Sequence, residues 1–225
     1  MLSFHNVTKT YKLDERTSIT PVNNLTLEVN RGEFIVITGR SGTGKTTLLN
    51  LASGLVKPTS GSVSINDNDM ANLPDKGISS LRSGTIGFIF QFPSLLPSLT
   101  VMENVSLPSI FLDNKSKLDV NERALTLLDK LKLLGKHMVY PRQLSAGEQK
   151  RAVIARALMN EPQLVLADEP TSDLDNDTEN EVMDILLDIN TEGVTFVIVT
   201  HSLPLVHFAT RAFEMQNGTL QALRY

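Results

Sequence analysis

Apolar positions change their period several times along the chain, and each change marks an element. Leu2, Phe4 and Val7, then Val22, Leu25, Leu27 and Val29, alternate with polar residues on either side of the polar stretch Lys12 to Thr20, which predicts an antiparallel β layer with a variable loop. Phe34 to Thr38, Ile86 to Phe90, Leu164 to Ala167 and Thr195 to Thr200 are instead unbroken apolar, β-branched runs. Such runs read as strands buried on both faces. Ser62 to Ile65 reads as a short strand after the turn Lys57 to Gly61, and Asn66 to Ser83 as loop and short helix. Helical spacing covers Lys45 to Leu55, with Leu48, Leu49, Leu51 and Ala52 apolar, and Asp119 to Leu134, with Ala124, Leu127, Leu128 and Leu131 on one face. Asp119 and Glu122 stand at capping-box spacing, and Gly135 closes that helix. Two further helices are predicted over Gln149 to Met159 and Asp177 to Asn190, and Arg211 to Met215, Asn217-Gly218 and Leu220 to Leu223 form a hairpin. Strands alternating with helices argue for the α/β class.

Composition narrows this without changing it. At 225 residues, 41% hydrophobic and 20% charged, the chain can bury a core as one domain. Lys+Arg 21 against Asp+Glu 25 gives net charge −4 with no long basic run, so no nucleic-acid partner is expected. Zero cysteines remove disulfides and thiol chemistry and agree with a reducing compartment. Met1 to Asn6 lacks a charged n-region and an apolar h-region, and no stretch of about 18 apolar residues occurs, so neither export nor membrane spanning is expected.

The chemistry starts at Gly39-Arg40-Ser41-Gly42-Thr43-Gly44-Lys45-Thr46, which fits G-x-x-x-x-G-K-[ST] between a predicted strand and a predicted helix. Glycines there let successive N–H groups face one anion, and the helix start adds its dipole, so a triphosphate would be held mainly by main chain. Lys45 would reach the β- and γ-phosphates, and the Thr46 hydroxyl would ligate Mg²⁺. Asp168 and Glu169 end a buried strand, which suits a Mg²⁺-associated carboxylate followed by a water-activating one. Gln91 and His201 each follow a strand where such sheets place ligand-facing groups, although either residue could be merely solvated or structural. Tyr11, at the end of the first segment, could stack on a purine or simply pack. Ser145 and Gly147 stand at a helix start, as a cap or as a second anion site. Phe92 to Val101 is too apolar for a free loop and too rich in proline for a helix, leaving a local core cap or a contact surface.

In this order the motifs resemble the ATPase subunit of ABC transporters over essentially the whole chain. The phosphate loop looks like that family's Walker A, Gln91 its Q-loop, Leu144-Ser145-Ala146-Gly147-Glu148 its signature, and Leu164 to Glu169 its Walker B. Ser172-Asp173-Leu174-Asp175 looks like its D-loop and His201 its switch histidine. Phe90 to Val105 and Leu166 to Thr171 resemble the lipoprotein-releasing and macrolide-exporter branch, which also includes a cell-division member. The resemblance implies a P-loop NTPase fold: a RecA-like core with an antiparallel β subdomain (1–91 and 159–225) and a helical subdomain (92–158) that carries the signature. It also implies a head-to-tail homodimer with each ATP between one chain's phosphate loop and the partner's Ser145, Gly147 and Glu148. Tyr11 would then stack on adenine, and Gly39, Arg40, Ser41, Gly42, Thr43, Gly44, Lys45, Thr46 and Thr47 would cradle phosphates. Thr46, Gln91 and Asp168 would surround Mg²⁺, Glu169 would polarise the attacking water, His201 would hold the γ-phosphate and Asp175 would communicate across the dimer.

Three residues depart from the family pattern: Ala146 for the first signature glycine, Glu148 for the glutamine, and Asp173 for a small or amide residue. None removes a group that hydrolysis requires. The implied role is an ATP-driven engine on the cytoplasmic face of the cell membrane, bound to a permease on another chain. A soluble repair or translation ATPase is the competing reading, disfavoured because the chain has neither a long coiled coil nor a second ATPase unit. A regulatory ATPase of the cell-division kind shares the same engine.

Overall fold

The structure, a computed structural model, describes residues 1–14, 16–112 and 119–224. Its centre is a six-stranded sheet in the order β10 (Thr219–Ala222), β9 (Arg211–Gln216), β3 (Phe34–Thr38), β8 (Thr195–Thr200), β7 (Leu164–Asp168), β6 (Ile86–Ile89). The pairs β9–β3, β3–β8, β8–β7 and β7–β6 are parallel, and only the β9–β10 hairpin is antiparallel. A second sheet is wholly antiparallel, in the order β2 (Ser18–Val29), β1 (Leu2–Lys12), β4 (Ser60–Ile65), β5 (Asn68–Asp69).

The unbroken apolar runs are explained by what covers each face. In β3, Phe34 and Val36 point into one core while Ile35 and Ile37 point into another, and β8 divides likewise between Phe196, Ile198 and Val197, Val199. The first core is filled by α3 (Val101–Ser106), α4 (Val120–Lys130), α5 (Ala146–Leu158) and α6 (Asn176–Thr191). The second holds α1 (Lys45–Ala52), Leu81 of α2 (Asp75–Thr85) and the inward residues of β1 and β2. There the alternation has its expected cause, for Leu2 pairs with Val29 and Phe4 with Leu27, with their polar neighbours outward. Because β3, β6, β7 and β8 run parallel, their carboxyl ends lie along one edge of the sheet. That edge receives the phosphate loop, Gln91, Asp168, Glu169 and His201.

Some boundaries differ from the sequence expectation. Helix α5 starts at Ala146 instead of Gln149, because Ser145 and Glu148 form a reciprocal capping box that draws the signature residues into its first turn. Helix α4 stops at Lys130, and Gly135 sits inside a separate 3₁₀ turn, Leu134–Lys136. In the proline-rich stretch before α3, buried Asn104 donates to the carbonyls of Leu96, Leu99 and Thr100 and accepts from the Leu96 N–H. Leu95 thereby packs on the core, while Phe92 stays 72% exposed. The segment is thus core on one side and surface on the other.

Candidate functional site

The phosphate loop joins β3 to α1 through Gly44, which caps the helix at φ 109 and offers no side chain. A Cβ on Gly44 would lie 2.0 Å from the Pro21 carbonyl oxygen, so no other residue fits. The first N–H groups of α1 therefore face out of the loop without a side-chain cap. Lys45 is buried beneath the loop, its Nζ donating to the Gly39 carbonyl at 2.6 Å and the Arg40 carbonyl at 3.2 Å. Thr43 Oγ1 also donates to the Arg40 carbonyl, at 2.9 Å.

At the second residue of α1, Thr46 Oγ1 donates to Asp168 Oδ2 at 2.8 Å. Burial pushes the Asp168 carboxyl above its ordinary value and the neighbouring Glu169 charge adds to this, while the Thr46 bond, Lys45 and Lys150 oppose it. Two hard oxygen donors thus meet at the strand tip. Among the described residues no group of three or more His, Asp or Glu side chains could hold a metal on its own. Such a donor set fits Mg²⁺, which characteristically takes one or two carboxylates and fills its shell with water and substrate phosphate oxygens.

Glu169 follows in a left-handed conformation, φ 49, with its N–H bonded to the Val199 carbonyl. Its carboxylate Oε2 accepts from Thr200 Oγ1 at 2.9 Å and from the His201 N–H at 3.2 Å, and lies 3.0 Å from His201 Nδ1. The imidazole remains largely exposed and Glu169 largely buried. Gln91 is exposed at the end of β6, with its carbonyl accepting from Lys150 Nζ at 2.6 Å.

A cavity of about 460 Å³ gathers these groups: Tyr11, Ser41, Gly42, Gly44, Lys45, Thr46, Thr47, Gln91, Asp168, Glu169 and His201 line it together. Tyr11 is half-buried there, with Lys9 Nζ 4.8 Å from its ring centroid. Sequence reasoning missed Ile19 and Pro21, which also line this cavity. Pro21 at the start of the alternating run was a readable cue to a special strand position.

Ser145, Gly147 and Glu148 do not line the cavity. Ser145 caps α5, accepting from the Glu148 N–H, while Glu148 Oε2 accepts from the Ser145 N–H at 2.8 Å. That N–H is the main cause holding the Glu148 carboxyl below its ordinary value, and Lys136 Nζ lies 3.7 Å away. Gly147 has a second reason to be glycine, since a Cβ would come within 2.7 Å of Thr178 Cγ2 on α6. Asp175 caps α6, accepting from the Thr178 N–H at 3.0 Å and Thr178 Oγ1 at 2.8 Å. Asp173 is left-handed, φ 65.

A second cleft, about 420 Å³, opens where Phe88, Phe90 and Ser94 face Pro108, Phe111 and Arg156. Phe90 and Phe111 are exposed at its wall and Ile110, next to Phe111 in sequence, is exposed as well, which makes this an apolar surface.

Known proteins are similar to this chain over nearly its whole length. The chain is 40% identical over 219 residues to the lipoprotein-releasing system ATP-binding protein LolD 1 of Chlorobium chlorochromatii, covering 97% of this chain and 89% of that one. It is 39% identical over 222 residues to the macrolide export ATP-binding/permease protein MacB of Sodalis glossinidius, covering 99% of this chain and only 34% of that longer protein. Among solved structures, a dimeric, post-hydrolysis state of the ATP-binding cassette MJ0796 bound to ADP and Pi matches with a TM-score of 0.90 at 39% identity, covering all of both chains. The model of the ABC transporter family matches residues 22–172, and the chain accordingly belongs to the ATP-binding cassettes of that family.

Proposed function

We propose that this ATPase works as a head-to-tail homodimer that drives a membrane permease carried on another chain, with export or lipoprotein release as the output. The observation that carries the reading is the junction at the sheet edge, where Thr46 and Asp168 are bonded 2.8 Å apart and Glu169 is held by Thr200 and His201 in the same cavity as the phosphate loop. Tyr11 stacks on the adenine, and the Gly39 to Thr47 main chain with Lys45 holds the phosphates. Thr46 and Asp168, with Gln91, hold Mg²⁺, which when bound offsets charge on the phosphate oxygens. Glu169 orients the attacking water and accepts its proton character in the transition state, and His201 holds the γ-phosphate. This is positioning and electrostatics without a covalent intermediate.

The Ser145, Gly147 and Glu148 turn supplies the far side of the γ-phosphate from the partner copy, which is why these residues stand off the cavity of their own chain. The segment 92–158 acts as a helical subdomain on the core formed by 1–91 and 159–225, and Asp175 relays between the two copies. The apolar cleft by Phe90 and Phe111 receives the permease, since an exposed aromatic surface next to the Gln91 segment would sense the nucleotide directly. No helix among the described residues is long and apolar enough to cross a membrane, so attachment to the inner face comes through that partner. Relatives named for lipoprotein release and macrolide export support this branch over a repair or translation role.

Replacing Glu169 by Gln keeps the shape and removes the charge. ATP binding is expected to survive while turnover falls about 10²- to 10⁴-fold, roughly 3 to 5 kcal/mol of barrier. Retained ATP then favours the closed dimer by mass action, so gel filtration with ATP and Mg²⁺ should show a dimer that ADP does not support. Wild-type turnover in this variant, or a monomer at high concentration with ATP bound, would refute both the role of Glu169 and the sandwich.

A further inference from the structure

The side chain that the proposed reaction leaves unused is Lys150, a cation only 4% exposed in a helix face otherwise filled by Gly147, Ile154 and Leu158. An ammonium has three N–H donors, and here each meets an oxygen: the Gln91 carbonyl at 2.6 Å, the Glu169 carbonyl at 3.3 Å and Ser172 Oγ at 3.3 Å. Burial disfavours its charged form, and Asp173, Glu169 and Asp168 favour it. A hydrocarbon would fill this position at less desolvation cost, so the charge has a task beyond packing.

That task is visible at Glu169. Its left-handed backbone is a conformation that a side chain rarely adopts, and it persists only where surrounding bonds fix it. The N–H side is fixed by the Val199 carbonyl. On the other side, the carbonyl accepts from the Ser172 N–H, Ser172 Oγ and Lys150 Nζ. Six residues along α5, Arg156 donates to the Ser94 carbonyl at 2.8 Å and to Ser94 Oγ at 2.9 Å. One helix therefore grips both ends of the Gln91 to Ser94 segment, and through Lys150 the same helix grips the Glu169 peptide.

We infer that Lys150 is a positioning residue for hydrolysis, a buried clamp that sets the Glu169 backbone and ties it to the Gln91 segment and α5. The inference rests on the reading that Glu169 orients the attacking water. Movement of α5 or of the cleft beside Ser94 thus reaches the catalytic carboxylate through one ammonium.

Lys150→Met keeps volume without charge, and Lys150→Gln retains amide donors. In single-turnover hydrolysis by the full chain, Lys150→Met is expected to lower the rate about tenfold to a hundredfold, the scale of a misplaced catalytic group, with Lys150→Gln in between. ATP affinity should stay within about twofold, because the clamp acts on the transition state and not on ground-state binding. Combined with Glu169→Gln, Lys150→Met should cost less than about twofold more, since its effect runs through a carboxylate already removed. An unchanged rate in Lys150→Met beside a slow Glu169→Gln overturns the inference alone, and so does an equal loss in both backgrounds. A fast Glu169→Gln instead overturns the reading on which the inference rests. If Lys150→Met fails to fold, Lys150→Gln decides: a wild-type rate overturns the clamp, and a loss confined to the Glu169 background upholds it.

Discussion

Helices α1 and α5 both begin at residues read as phosphate ligands, yet their first turns are built in opposite ways. Helix α1 opens from a left-handed glycine with no side-chain cap and carries a cation, Lys45, as its first residue. Helix α5 opens from Ser145 in a closed capping box and carries an anion, Glu148, whose carboxylate already takes a main-chain donor. Both ends hold the positive pole of a helix dipole, about half a charge. The first leaves that pole available within a single chain. The second spends part of it on its own side chain, so in the proposed head-to-tail dimer a phosphate arriving from the partner copy would compete with Glu148 for main-chain donors. On that proposal nucleotide capture is a property of one chain, and closure of the dimer would exchange one anion for another.

The largest expected effect tests the open end. Lys45→Ala removes a buried ammonium that lies under the loop on the Gly39 and Arg40 carbonyls and that, in the proposed mechanism, would hold two phosphates. Charge-assisted hydrogen bonds contribute about 1.5 to 3 kcal/mol each, so ATP affinity by titration calorimetry should drop roughly hundredfold or more. Affinity near wild type would mean that the α1 dipole and main chain suffice, and that Lys45 only braces the loop.

A smaller effect tests the closed end. Glu148→Gln keeps a residue that can complete the capping box but removes the negative charge. A single charge at a helix terminus is worth about 0.3 to 1 kcal/mol, so ATP-driven dimerisation in a Glu169→Gln background should tighten by up to roughly fivefold in sedimentation velocity. The cost should appear in stability. Because the Ser145 N–H depresses the Glu148 carboxyl, its folded form binds protons less readily than the unfolded one. Its contribution is therefore present above the unfolded pKa and lost as pH falls through the folded one. The melting-temperature advantage of the wild type over Glu148→Gln should shrink on acidification through the carboxylate range. A dimer no tighter than the parent would show that Glu148 does not compete with the trans phosphate.

The contrast between the two helices was only half legible in the sequence. The open end was, because a phosphate loop writes its geometry into glycines and a lysine at fixed spacing, flanked by β3 and α1. So was the sheet edge, since unbroken apolar runs ending in Asp168, Glu169 and His201 leave little choice of place. The closed end was misread by three residues, although Ser145 and Glu148 stood at capping-box spacing, because the apolar period begins only after them. Ile19 and Pro21 escaped because they reach the cavity from the other sheet, a tertiary contact for which Ile19 carries no local signal and Pro21 only that of a special strand position. Lys150 was readable in principle: it falls on the stripe of Gly147, Ile154 and Leu158, where a charge is out of place. Asn104, which pins the proline-rich stretch, carries no pattern of its own, for its value lies in four main-chain bonds that sequence does not display.

The finest test lies at the residue between cap and glycine. Ala146 is the first residue of α5 and is exposed, and in the proposed dimer a methyl there would limit how closely the signature turn approaches a trans phosphate. Ala146→Gly removes that limit. Against it stands the conformational entropy of glycine, about 1 kcal/mol in a helix interior but less in a first turn, where the backbone is only partly committed to the helix. The capping box does not involve the alanine side chain, so Ser145 and Glu148 should hold the turn in both forms. Net association should therefore strengthen, by less than the roughly fivefold assigned to the Glu148 charge, whose upper limit is about 1 kcal/mol. The same sedimentation assay with ATP in the Glu169→Gln background measures it. Unchanged or weaker association would show that the alanine fits against the phosphate without strain, and would leave the Ser145–Glu148 capping box as the feature that distinguishes this helix end from α1.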